Sequence, residues 1–312
     1  MLKKPYSEKS FQALGTLNDI KIYGCRDGSV LDEAVSGVRQ IEQRMSAFIE
    51  ESDVARINRN AGEKLVRINP ETVSLIKRSI TFSILTDGAF DITVRPLVEL
   101  WGIGGKKNVI PPQEKIEQAK RLVDYRKILL DEKTCMAGLR EKGQAMDLGG
   151  IAKGYAAEEV KRVLVKNGVT SALINLGGNI LTIGEQPDGQ PWQIGIQNPM
   201  LPTGNFLGIL SAADKTIVTS GCNERFFMTN GRRYHHILDP RTGEPSRSGL
   251  LSITAVCGES ADADALTTSV FVLGPENGMK LVRMLGAEAV FVTENQEVLA
   301  SNGLRNDFKF MN

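Results

Sequence analysis

The stretch Asp147-Leu-Gly-Gly-Ile-Ala-Lys-Gly-Tyr-Ala156 constrains the chain most, because it joins a carboxylate, a glycine turn and the start of a helix. Gly149, Gly150 and Gly154 lack the Cβ that would keep a ligand away from the backbone. The helix that follows directs unpaired N–H groups and a partial positive charge toward the same point, and Lys153 adds a full charge. Read for chemistry, this is an anion cradle with phosphate as its first candidate. Read for shape, it is a strand-to-helix turn that needs glycines. The stretch alone does not separate the two.

Composition removes several alternatives. Lys+Arg is 38 and Asp+Glu is 37 in 312 residues, so no charge excess argues for nucleic acid or an anionic membrane. Cys25, Cys135, Cys222 and Cys257 are scattered and make no CxxC pair, which fits reduced thiols rather than a disulfide framework or zinc site. The two histidines, His235 and His236, are adjacent. With so few soft ligands, any metal is expected to be a hard, oxygen-bound one. No apolar run approaches the roughly 20 residues that span a bilayer. Two lysines near the N-terminus have no apolar region after them, so the chain as written is expected in the cytoplasm, or exported or anchored if a leader was removed.

The pattern along the chain predicts an α+β fold. Residues 10–23 alternate around Gly15, as two short strands or one bent strand. Helices are expected over 30–49, after a cap at Ser52 or Asp53, from Pro70 with Val73, Ile76, Ile80 and Ile84 on one face, after Pro112, and over 150–167. Trp101 to Lys107 reads as a loop, and strands are expected near 126–131, 134–140 and 144–147. Strand-like runs then dominate at 170–176, 179–184, 192–197, 206–212, 215–220, 224–229 and 250–257. Helices near 260–273 and 275–286 and strands at 288–293 and 297–301 close the chain. Helices in front and antiparallel-looking strands behind argue against a doubly wound sheet.

Two further stretches carry chemistry. Tyr234-His235-His236-Ile-Leu-Asp239-Pro-Arg-Thr-Gly243 sets the only imidazoles before a turn, where a neutral ring can take a proton near neutral pH; a packed or solvated pair is the plain alternative. In Ala261-Asp-Ala-Asp264-Ala-Leu-Thr-Thr268 the helical i, i+4 pair Asp264 and Thr268 offers a carboxylate and a hydroxyl to one small cation, while Asp262 suits an N-cap. Cradle, hard-metal pair and imidazole together are what magnesium-assisted chemistry on a pyrophosphate requires.

These stretches lie in a series of motifs that resembles the ApbE flavin-transferase family of FAD:protein FMN transferases over about residues 10–305. The series is Phe11-x-x-Leu-Gly-Thr16, Ser46-x-Phe48 with Ser52-Asp53 and Asn58, Gly88-Ala-Phe-Asp91-x-Thr-Val-x-Pro-Leu97 with Trp101-Gly102, Asp147 to Ala156, Asn175-Leu-Gly-Gly-Asn179, Thr219-Ser-Gly with Glu224-Arg-Phe226, His236 to Gly243, and Ala263 to Thr268. The resemblance implies an ApbE-like, T-fold-related α+β fold with mixed, largely antiparallel sheets and packed helices, either one unit or two intertwined subdomains with FAD between them.

It also implies cleavage of FAD at its pyrophosphate, release of AMP, and attachment of FMN by a phosphoester to Thr or Ser of an acceptor protein carrying a Ser/Thr flavinylation motif. Mg²⁺ would be held by the Gly150 carbonyl, Asp264, Thr267 and Thr268. FAD would contact Leu14, Phe48, Ala89, Phe90, Asp91, Asp147, Lys153 and Leu238. His236, with Asp264 and Lys153, would carry the catalysis. Hydrolysis of FAD to FMN and AMP, or flavin binding without turnover, are the alternatives, and a homodimer is left open. Leu14 stands where the family often has Met, and Phe48 where it often has Trp or Tyr. The export signal with a lipid-attachment cysteine is not visible.

Overall fold

Period-two burial builds the centre of the fold. The computed structural model describes residues 6–24, 27–105 and 108–311. The N-terminal lysines, Cys25 and the end of the expected 101–107 loop lie outside the described residues. Strands β1 (Tyr6–Ala13), β2 (Thr16–Tyr23), β3 (Ala172–Leu176), β4 (Asn179–Ile183), β5 (Thr216–Gly221), β6 (Leu250–Cys257), β7 (Glu288–Thr293) and β8 (Val298–Ala300) form an eight-stranded sheet ordered as in the chain. Each neighbouring pair is antiparallel. Successive side chains face opposite sides of a strand. Ile174, Leu181, Ile253, Ala255 and Phe291 therefore enter the main core, while Leu173, Ile180, Val256 and Val290 meet a second cluster behind the sheet.

The helices are α1 (Gly28–Met45), α2 (Asp53–Arg59), α3 (Pro70–Leu85), α4 (Arg95–Trp101), α5 (Gln113–Lys120), α6 (Ala152–Lys166) and α7 (Ser260–Met284). In α1 the residues Leu31, Ala34, Val35, Val38, Ile41 and Met45 are buried, the stripe expected from their helical spacing. α6 lies between α1 and α7, and the three cover one face of the sheet. A three-stranded sheet (Phe308–Phe310, Phe206–Ala212, Trp192–Gln197) covers the other, contributing Trp192, Ile194, Leu210 and Phe308. Among the described residues no helix is long and apolar enough to cross a membrane.

Antiparallel register decides where the sheet opens. It puts the β1–β2 turn, the β3–β4 turn and the exit from β5 at one end, through the pairs Asn18–Leu176, Val218–Asn179 and Gly221–Ser252. Both turns have two residues at positive φ, Leu14 (56°) with Gly15 (69°) and Gly177 (59°) with Gly178 (89°). That conformation matches the twist of a two-residue hairpin. The Leu14 N–H donates to the Glu42 carboxylate at 2.6 Å, which ties this turn to α1.

Several sequence expectations need correction. Arg95–Trp101 is helical, with Pro96 in its first turn, so Trp101 ends a helix rather than opening the expected loop. Residues 144–147 form no strand, only an isolated bridge from Ala145 to Val94; the third partner is Val66–Arg67, which pairs with Met136–Leu139. On α3 the buried face runs through Val73, Leu75, Ile76, Ser79 and Phe82, leaving Ile84 exposed. Ser52, not Asp53, caps α2, accepting the Ala55 N–H at 2.9 Å. Asp262 caps nothing and instead binds the Arg78 Nε at 2.6 Å. The two expected C-terminal helices are one element broken at Gly274, before Pro275. Short strands at Arg232–His235 and Phe308–Phe310 lacked a periodic signal.

Gly154 serves packing, not ligand approach. A Cβ there would lie 2.1 Å from the Ser260 carbonyl oxygen, a backbone atom at the start of α7. Gly154→Ala must push α6 off α7 and is expected to cost roughly 3 kcal/mol, lowering Tm by more than about 5 °C. An unchanged thermal unfolding curve would contradict this reading of the contact.

Candidate active site

The cradle is held from behind by residues distant in sequence. Asn58 on α2 clamps Met146 in both directions, receiving its N–H at 2.7 Å and donating to its carbonyl at 2.9 Å. The Asp147 N–H reaches the Ile92 carbonyl at 2.7 Å. Asp147 then closes its own turn, Oδ1 accepting the Gly149 N–H at 2.8 Å, and Oδ2 is 3.2 Å from the Arg95 guanidinium. Buried Arg95 also lies 4.5 Å beneath the ring of Phe48, which is 79% exposed. One guanidinium thus fixes a carboxylate and presents a flat aromatic face. Arg95 carried no sequence signal of its own, because its helix was not recognised.

A cleft of about 770 Å³ opens above these groups at the turn end of the sheet. Leu14, Phe48, Ala89, Phe90, Asp91, Asp147, Gly150, Lys153, His236, Leu238, Asp264 and Thr268 all line it. Thr267 does not. It is fully buried, its hydroxyl donating to the Asp264 carbonyl at 2.9 Å and receiving the Ser220 hydroxyl at 2.9 Å. Asp91 lines the wall with both oxygens engaged, Oδ1 by the Thr93 N–H and hydroxyl and Oδ2 by the Tyr125 N–H. Burial pushes its carboxyl up from the ordinary value.

The chemistry concentrates where α6 meets α7. Asp264 is 3% exposed. Its Oδ2 accepts the Gly154 N–H at 3.0 Å, and its Oδ1 is 3.6 Å from Lys153 Nζ, which also reaches the Gly149 carbonyl at 3.3 Å. A Cβ at Gly150 would stand 3.2 Å from Phe90 and 3.6 Å from the Thr268 hydroxyl, so the glycine keeps this corner open. Buried carboxylates demand compensation, and here an N–H and a loose ion pair supply only part of it. The Gly150 carbonyl, Asp264 and Thr268 are hard oxygen donors. Among the described residues no group of three or more His, Cys, Asp or Glu is placed to hold a metal ion. A cation here would take one carboxylate, neutral oxygens and the substrate's own phosphates, a set that suits Mg²⁺.

The two histidines separate cleanly. His235 points into the core, its Nε2 3.0 Å from the Ser246 carbonyl and its ring edge-on to Phe271. His236 faces the cleft, its Nδ1 3.3 Å from the Arg225 carbonyl. The loop carrying Leu238 is anchored below by the Trp101 indole, which donates to the Gly243 carbonyl at 2.8 Å.

Oxygen donors, a buried acid, a lysine and an imidazole thus share one cleft of an α+β fold, the arrangement of an enzyme site. The ApbE family model matches residues 14–291. Over 290 residues the chain is 36% identical to the FAD:protein FMN transferase of Klebsiella pneumoniae (strain 342), covering 93% of this chain and 90% of that protein. It is 32% identical to the FAD:protein FMN transferase of Treponema pallidum (strain Nichols), covering 93% and 85%. The ApbE protein of Thermotoga maritima superposes with a TM-score of 0.88 at 34% identity, over 96% of this chain and 98% of that one. The flavin transferase ApbE of Vibrio cholerae gives 0.87 at 26% identity, over 97% and 99%. The chain belongs to the ApbE family, whose α+β, largely antiparallel fold it shares.

Burial holds His235 down to about 4 and, with the Arg225 charge, His236 down to about 3. Both rings are therefore neutral across the physiological range. Since the ordinary value is 6.5, the unfolded chain takes up protons first. The histidine contribution to stability is complete above about pH 6.5 and is lost as pH falls toward 4 and 3. Histidine Cε1–H resonances are expected to show no titration between pH 5 and 8; a midpoint near 6.5 for either ring would contradict the burial assigned to it.

Proposed function

We propose that the chain is an FAD:protein FMN transferase that moves FMN from FAD to a Ser or Thr hydroxyl of an acceptor protein, forming a phosphoester and releasing AMP. The observation that carries this reading is the convergence of Lys153, Asp264, Thr268 and the Gly150 cradle at one buried corner of a cleft wide enough for a dinucleotide. The names of its relatives support it.

Each group then has a task. Lys153 and the N-terminal turn of α6 draw the pyrophosphate to the corner and neutralise charge as AMP departs. Leu14, Phe48, Phe90 and Leu238 provide apolar or aromatic surface for the flat rings, with Phe48 already stiffened by Arg95. Mg²⁺ would be held by the Gly150 carbonyl, Asp264 and Thr268, with Thr267 supporting from behind, and when bound it supplies charge neutralisation at the phosphates. His236 keeps its Nε2 free of its own carbonyl partner and accepts the proton of the incoming hydroxyl. Water in place of that hydroxyl gives FMN and AMP instead, and binding without turnover needs neither His236 nor Asp264.

Incubation with FAD, Mg²⁺ and an acceptor bearing a Ser/Thr flavinylation motif is expected to give an acceptor carrying covalent FMN by mass spectrometry. Free FMN and AMP without adduct would favour hydrolysis, and intact FAD would favour binding alone. Asp264→Ala is expected to abolish Mg²⁺-dependent turnover, whereas wild-type rates at limiting Mg²⁺ would remove Asp264 from the metal site. His236→Ala should still bind FAD yet transfer about 10²-fold more slowly; full-speed transfer would end the base role.

A further inference from the structure

Glu224 stands at the mouth of the cleft, on the same β5–β6 connection as His236, and the mechanism above leaves it without a task. Its Oε2 is 3.9 Å from His236 Nε2, beyond a direct hydrogen bond. On the other side of the ring, Nδ1 meets the Arg225 carbonyl, a group that only accepts. The bonded tautomer therefore carries its hydrogen on Nδ1 and turns the Nε2 lone pair toward the carboxylate. Two acceptors facing each other across this gap make a seat for a donor. A hydroxyl oxygen placed to one side can reach both at ordinary hydrogen-bond distance.

Resting on the transferase reading, we infer that Glu224 is the second proton acceptor of the reaction, taking from His236 the proton of the acceptor hydroxyl and releasing it at the cleft mouth. The hydroxyl oxygen forms a bond to the FMN phosphorus while its proton passes to His236 Nε2. The bond from that phosphorus to the bridging oxygen breaks, its electron pair leaving with AMP. The proton then passes from Nε2 to Glu224 through one bridging water, which spans the 3.9 Å gap, and on to solvent, so FAD and hydroxyl yield FMN ester, AMP and one proton.

The surroundings of the pair favour such a relay. His236 is buried enough to make an imidazolium costly and short-lived. Glu224 is 52% exposed through the mouth, giving the proton a way out. On its cleft side protein crowds it: burial raises its carboxyl, Lys153 and Arg225 lower it, and Asp264 raises it.

The test is steady-state FMN-adduct formation by the full chain with FAD, Mg²⁺ and acceptor protein. Glu224→Gln is expected to lose about 10²-fold in kcat with the KM for FAD changed by less than about twofold. Glu224→Asp keeps a carboxylate and is expected to recover about tenfold of that loss. A Glu224→Gln kcat near wild type, a defect confined to KM, or a loss that aspartate does not repair would each overturn the inference. Flavin-fluorescence titration of both variants reports that the cleft still folds. A wild-type protein that forms no adduct overturns the transferase reading beneath the inference, and the wild-type measurement alone reveals that case.

Discussion

The close contact between the first turns of α6 and α7 is the constraint on which the site depends. Gly154 lies against the Ser260 carbonyl, and its N–H is given to Asp264, 110 residues further along the chain. Only glycine permits that approach. It brings Lys153 and Gly150, from the long β2–β3 connection, beside Asp264 and Thr268 on the β6–β7 connection. Removing a carboxylate from water costs several kcal/mol. The Gly154 N–H, the Lys153 charge and the positive end of α6 offset part of this, and under the transferase reading a cation would offset the rest.

The sheet contributes direction rather than chemistry. Its antiparallel order delivers the Leu14–Gly15 and Gly177–Gly178 turns and the β5 exit to one end, where they meet the first turns of α6 and α7 around the cleft. Several residues in the motifs serve that arrangement. Asn58 fixes Met146, Trp101 fixes Gly243, and Asp53 accepts the Asn69 N–H and Thr72 hydroxyl at 2.9 and 2.7 Å to tie α2 to α3. Their side chains hold up walls that others use.

What was legible in the sequence was local. The start of α2 near Ser52, the start of α3 at Pro70, the helical span of α1 and the strands around Gly15 follow from spacing and turn chemistry within a few residues. The elements that escaped depend on partners elsewhere. Val66–Arg67 is a strand only because Met136–Leu139 lies beside it. α4 spans seven residues, too few for a periodic signal, and its Arg95 became meaningful only beside Asp147 and Phe48. Gly154 showed the same limit: a glycine in a Gly-rich turn reads as ligand space, and only the position of Ser260 reveals a helix contact. The residues that motif order singled out line one cleft, while the Thr267 hydroxyl is turned inward.

The transferase reading brings the cation and the pyrophosphate together at the α6–α7 junction. A crystal structure of the chain with FAD and Mn²⁺, read by anomalous scattering at the manganese edge, tests it most directly. An anomalous peak is expected between Asp264, Thr268 and the Gly150 carbonyl, with the pyrophosphate beside Lys153. A peak elsewhere in the cleft, or a pyrophosphate lying away from Lys153 and Gly150, would contradict it.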